Sequence, residues 1–267
     1  MLATNSHART LTSTQRKDGG WAAISPESSA FGGNSAATAL AIFALLQQER
    51  SGWDAEGALK WLCSARGIEG HWFWRWKFKT WDTQVSFDPD KFGWGWVPGT
   101  ASWVIPTSFA LIALQAARQM GLRTPGAKDR VRLGADMLLD RACPHGGWNA
   151  GNSRVFGVPL SPHADATAIA LLALRRLAHQ SEQIDRALDR LLERNPAGAG
   201  PLSLAWTIIA LHAYRDHRAV TAEIESRSQE LDGLLQTPSR ISDNTTLAVS
   251  ALAFDAVYTK NLFEVRQ

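Results

Sequence analysis

The stretch that decides the fold is Thr167-Ala-Ile-Ala-Leu-Leu-Ala-Leu174. After its threonine it carries no polar side chain, and a helix that is apolar all round is buried rather than amphipathic. The same phrase, a threonine followed by an apolar run ending near Ala-Leu, recurs through the chain. It appears as Thr38-Ala-Leu-Ala-Ile-Phe-Ala-Leu45, as Thr107-Ser-Phe-Ala-Leu-Ile-Ala-Leu114 and as Thr245-Thr-Leu-Ala-Val-Ser-Ala-Leu252. A fifth copy ends at Leu211 and has Leu204 where the threonine would stand. The steps from Leu174 to Leu211 and from Leu211 to Leu252 match the ~40-residue period of helix-pair repeats. The two earlier steps are longer and hold a Trp-rich segment.

Between these copies lie the charged, amphipathic stretches AEGALKWLCSAR, AKDRVRLGADMLLDRAC, SEQIDRALDRLLER and TAEIESRSQELDGLLQ. They read as outer helices, each with one solvated side. Buried helices alternating with half-exposed ones give two concentric layers. An open array needs polar end repeats, and none is evident, so a closed ring is expected. The expected fold is all-α: an α/α toroid of about five to six inner/outer helix pairs, forming one domain over residues 1–267.

A second signal precedes the inner helices: Asp18-Gly-Gly-Trp21, Gly93-Trp-Gly-Trp96 and Gly146-Gly-Trp148. Glycine permits a tight turn there, and the indole can pin the loop against neighbouring helices. Ser35, Thr107, Asp165, Ser203 and Asp243 are the expected N-caps. Residues 71–96 stand apart. Trp72, Trp74, Trp76 and Phe78 alternate with Phe73, Arg75, Lys77 and Lys79. A period of two with β-forming residues predicts a small hairpin-like insertion, a lid over one mouth of the ring.

Composition narrows the function. The 267 residues are 45% hydrophobic and 20% charged, which excludes a disordered or collagen-like chain. A net charge of +3 and one basic run are too little to expect a nucleic acid partner. Cys63 and Cys143 do not make a disulfide framework. The N-terminal stretch has no apolar core of the signal-peptide kind, and no apolar run is long enough to span a bilayer. The expectation is a cytoplasmic protein whose membrane contact, if any, is peripheral. The 12 tryptophans against 2 tyrosines point to aromatic motifs built into the fold, an aromatic-lined cavity, or both.

Taken together, Gln15-Arg-Lys-Asp-Gly-Gly-Trp21, Gly146-Gly-Trp148 and the Thr-Ala-x-Ala-Leu-x-Ala-Leu runs resemble the repeat of squalene–hopene-type terpene cyclases and protein prenyltransferase β-subunits. The resemblance covers about residues 10–255 and implies the ring fold. Class II cyclases of this superfamily protonate an alkene with an aspartate of a D-x-D-D-T-A motif at the start of an inner helix. The matching stretch here is His163-Ala-Asp165-Ala-Thr-Ala168. Only the middle acid is kept, with His163 and Ala166 in place of its neighbours. The resemblance therefore makes Asp165 the candidate general acid and His163 its candidate hydrogen-bond donor; read without it, Asp165 is an N-cap.

Trp94, Trp96, Trp103, Phe109 and Trp206 are the candidates for an aromatic wall that would stabilise a carbocation through its π faces. Asp88 and Asp90, in Asp-Pro-Asp, are a turn first and candidates for substrate contact second, with Asp82 a further one. Arg75, Lys77, Lys79 and Arg154 are candidates for a diphosphate, or simply a solvated face. No set of Cys, His and Asp has the spacing of the prenyltransferase zinc site, so no metal or other cofactor is expected. Two functions compete. One is an isoprenoid-handling enzyme that starts a cyclisation by protonation. The other is a non-catalytic toroid that binds an isoprenoid, a lipid or a partner protein; the β-subunit resemblance makes a second protein subunit a candidate partner.

Overall fold

The computed structural model describes residues 9–23, 32–81, 86–193, 199–217, 219–236 and 243–264. The chain is all-α. A helical segment at residues 9–13 comes first. It is followed by α1 (Ser35–Gln47), α2 (Ala55–Ser64), α3 (Trp72–Thr80), α4 (Val104–Gln119) and α5 (Ala127–Asp140). Then come α6 (Ala164–Arg176), α7 (Glu182–Leu192), α8 (Pro201–Ala213), α9 (Thr221–Leu235) and α10 (Asn244–Tyr258). Between α5 and α6, Arg154–Val155 and Val158–Pro159 form a two-residue antiparallel ladder.

The chain divides after Arg141 into two compact units. In the first, α1 and α4 pack on each other, α2 backs α1, and α5 backs α4. In the second, α6 and α10 flank α8, while α7 and α9 lie outside them. Burial follows the apolar pattern. In α4 every residue from Pro106 to Ala117 is buried, and in α6 every residue from Ala166 to Leu174. By contrast, α7 buries only Ile184, Ala187, Leu188 and Leu191, one stripe of an amphipathic helix.

One device recurs at the start of three buried helices. The Trp21 N–H donates to the Thr38 hydroxyl at 2.9 Å, Trp94 to Thr107 at 2.9 Å, and Trp148 to Thr167 at 2.9 Å. The carbonyl of each tryptophan accepts the N–H of the residue just ahead of the helix: Asn34 at 2.8 Å, Trp103 at 3.0 Å and His163 at 2.8 Å. In each case the threonine is the fourth residue of its helix. The loop backbone is thereby paired inside a buried environment, where an unpaired N–H costs about 1–3 kcal/mol. In two of the three loops the glycine before the tryptophan makes room for the hydroxyl, and in the first Gly20 makes room for the Trp61 ring. A Cβ on Gly93 would stand 2.2 Å from Thr107 Oγ1, and one on Gly147, whose φ is +77°, would stand 2.7 Å from Thr167 Oγ1.

These threonines act one turn inside their helices, so the expected caps shift. Asn34, not Ser35, caps α1, its side chain accepting from the Ala37 N–H at 2.9 Å. Thr107 lies inside α4, Asp165 is the second residue of α6, and Ser203 follows Pro201 inside α8. Asp243 caps α10 as expected, accepting from the Thr246 N–H at 2.8 Å. Leu204 occupies the fourth position of α8, buried and without a hydroxyl, and no Gly-Trp precedes it.

The hairpin expected at 71–96 is corrected: its alternating segment is α3, a helix with no buried residue. A strand needs a neighbour to pair with, and none is found among the described residues here. Contacts three and four residues apart decide instead. The Trp74 and Phe78 rings lie 6.2 Å apart, and Lys77 Nζ stands 4.8 Å from the centre of the Trp74 ring. Arg75 and Lys79, one turn apart, both pair with Asp90. The His71 ring caps the helix, accepting from the Phe73 N–H.

Thr107→Val keeps the shape and removes the hydroxyl that serves Trp94. It is expected to cost about 1–3 kcal/mol in urea unfolding, whereas Thr245→Val, at an exposed position, is expected to change stability by less than about 0.5 kcal/mol.

Candidate functional site

The proposed acid lies at the start of α6. His163, exposed, is the residue ahead of the helix, and its side chain makes no capping bond. Asp165 is half-buried, and its Oδ1 accepts the N–H of Ala166 at 2.8 Å. Among the described residues no second carboxylate bonds to it.

The candidate aromatics are mostly structural. Trp94 is wholly buried in the first unit, its indole N–H donating to the Leu62 carbonyl at 2.7 Å. Its π face is already taken: the Arg130 guanidinium stands 4.0 Å from the ring centre. Phe109 is buried in the same unit. Trp103 is half-buried ahead of α4, and Trp96 is exposed. In the second unit Trp206 is buried edge-on to Phe263, with ring centres 5.5 Å apart.

The acids of Asp88-Pro-Asp90 fasten the chain. Asp88 Oδ1 accepts the Asp90 N–H at 3.0 Å, the bond of an Asx turn. Asp88 pairs with Lys91 at 3.5 Å, and Asp140 at the end of α5 accepts the Asp88 N–H at 2.9 Å. Asp90 holds Arg75 and Lys79. Asp82 lies outside the described residues. Arg154 is on the small ladder.

Cavities form elsewhere. In the second unit a cavity of about 320 Å³ is lined by Arg175, His179, Ser181, Asp185, Tyr214 and His217. His217 Nε2 lies 2.9 Å from Asp185 Oδ1. The Tyr214 hydroxyl donates to the Leu171 carbonyl at 3.0 Å, and burial pushes its pKa up. In the first unit a cleft of about 460 Å³ is lined by Lys60, Cys63, Arg66, Phe92, Gly126 and Arg130, among others. Burial, with a further push from the charge of Arg66, lowers the Arg130 pKa to about 10. Sequence reading missed both cavities. The only signal was polar residues clustered past the ends of apolar helices, which is ordinary for any helix end.

Among the described residues no group of three His, Cys, Asp or Glu is placed to hold a metal ion. Among the described residues no helix is long and apolar enough to cross a membrane. The largest exposed apolar group is on α3 and just past it. Trp72 is 69% exposed, Trp76 49% and Trp81 75%, with Phe73 exposed beside them.

No protein-family model matches the chain, and no curated protein matches it.

Cys63 and Cys143 are free and buried, and burial pushes both thiols up. Because the unfolded chain ionises first, the stability they add is present below the ordinary thiol value and lost as pH rises past about 8.5. A Cys63→Ala, Cys143→Ala variant is expected to show a shallower decline of melting temperature between pH 8 and 10.

Proposed function

We propose that this chain is a toroid-type α/α-repeat protein that binds an isoprenoid-class lipid at a membrane surface and does not cyclise it. The observation that carries the reading is α3, whose Trp72 and Trp76 rings are exposed on a helix that also carries Arg75, Lys77 and Lys79. Tryptophan and basic side chains on one short exposed helix suit the boundary between lipid headgroups and acyl chains. Two of those cations are held to Asp90, which keeps the helix in place while its rings stay outside. The Gly-Trp and Thr-Ala-Leu repeats support the isoprenoid class through their resemblance to the cyclase and prenyltransferase repeat. Against cyclisation stand the Asp165 carboxylate bonded to its own helix and the Trp94 face occupied by Arg130.

The test pairs vesicles with product analysis. The protein should sediment with vesicles containing phosphatidylglycerol, and Trp72→Ala with Trp76→Ala should weaken that partition by about tenfold or more, the scale of two lost aromatic burials. Squalene and a panel of prenyl diphosphates should be recovered unchanged in mass and retention. A cyclised product that disappears in Asp165→Asn would establish the protonation chemistry in place of this reading. Absence of vesicle binding would remove α3 as a lipid-facing element.

A further inference from the structure

Two buried arginines on outer helices do the same job in the two units, and only one of them has a carboxylate. In the second unit Arg227 of α9 donates its Nη2 to the Leu191 and Leu192 carbonyls at the end of α7. Its Nε donates to Glu223, one turn earlier in its own helix, at 2.7 Å. In the first unit Arg130 of α5 donates its Nη2 to the Ala65 carbonyl at the end of α2 and to the Gly93 carbonyl, both at 3.0 Å. One turn before Arg130 stands Gly126. Arg130 is 5% exposed, and its Nε and Nη1 have no hydrogen-bond partner among the described residues.

The cleft beside Arg130 holds one carboxylate, that of Asp129. Cys63 is a raised thiol, and therefore neutral at pH 7. Asp129 forms no ion pair with Arg130 among the described residues, and Arg66 adds a second positive charge nearby. A buried cation without a counter-ion is costly, whereas a hydrogen-bonded oxyanion beside it gains strongly. The cleft next to Arg130 also receives the N-terminus of α5, which no side chain caps, and Lys60 and Arg66 stand at its rim. Helix N-termini favour anions through their free N–H groups and dipole.

We infer that the cleft between α2 and α5 binds a phosphate-type oxyanion, which takes the place beside Arg130 that the Glu223 carboxylate holds beside Arg227. Phe92, which lies 5.3 Å from the guanidinium and also lines the cleft, is the side chain that turns to let the anion reach Nε and Nη1. No residue of α3 lines the cleft, and neither does Asp165, so this site stands or falls apart from the lipid reading.

The experiment is calorimetric titration of the full chain, in low salt, with two probes. One is inorganic phosphate; the other is dihexanoyl phosphatidic acid below its micelle concentration. Saturable one-to-one binding is expected for at least one probe. Equal affinities identify a free phosphate group as what the cleft recognises, and much tighter binding of the second identifies a lipid headgroup; both support the site. Arg66→Ala, at an exposed residue, should weaken binding several-fold. Arg130→Met should weaken it by about tenfold or more. Gly126→Glu supplies a carboxylate one turn before Arg130, in open space but at a φ of +77° that strains any side chain, so it is compared with Gly126→Ala. The Glu variant should abolish binding and the Ala variant keep it, each with a cooperative melting transition. No saturable binding of either probe, or binding unchanged in both Arg66→Ala and Gly126→Glu, would overturn the inference.

Discussion

The fold depends on one constraint: an inner helix with no polar face buries the loop that leads into it, and that loop's backbone must still find partners. The paired bonds between a tryptophan backbone and a helix threonine meet this need in the same way at Thr38, Thr107 and Thr167. The indole then completes the joint. Trp94 reaches the Leu62 carbonyl on α2, and Trp21 reaches the Leu11 carbonyl at 2.9 Å. A loop built this way ties the element before it to the helix after it. Three of the twelve tryptophans, Trp21, Trp94 and Trp148, are taken up by such joints, and their backbone and rings serve the fold.

Charge inside the protein follows a related economy. The carbonyls at the end of a helix lack partners within it, and buried guanidinium groups serve them. Arg130 does so for α2 and Arg227 for α7. Arg176 donates to the Leu262 and Glu264 carbonyls beyond α10. Arg141 instead meets the buried Glu69 carboxylate, which also accepts from the Ser102 hydroxyl at 2.8 Å. Arginine suits these places because its several donors lie in one rigid plane.

Much of the fold was legible because burial writes itself into sequence. The five apolar runs and the four charged stretches all became helices within a few residues. Four of the apolar runs are buried nearly throughout, whereas the fifth, in α10, buries a single stripe and leaves Leu247 exposed. Details that depend on a single hydrogen bond were not legible. The buried threonine of α10 is Thr246, one place after the expected Thr245, because Asp243 caps that helix and sets its register. The alternation at 72–78 suggested a strand, yet helical neighbours and the Asp90 ion pairs hold the same residues as α3. The candidate site was the least legible part. Asp165 was found by its motif, but its partner is the adjacent N–H. The His217–Asp185 pair and the Arg130 cleft assemble from residues far apart in the chain, and no local pattern marks them.

The spread of tryptophan environments also shapes how this protein behaves under light. Trp94 and Trp148 are fully enclosed, while Trp72 and Trp81 are largely in water. Emission from the enclosed rings is shifted to the blue and shielded from collisional quenchers, whereas the outer rings emit further to the red and are quenched first. The chain thus carries two built-in fluorophore populations, one reporting on the packed interior and the other on the short helix at its edge.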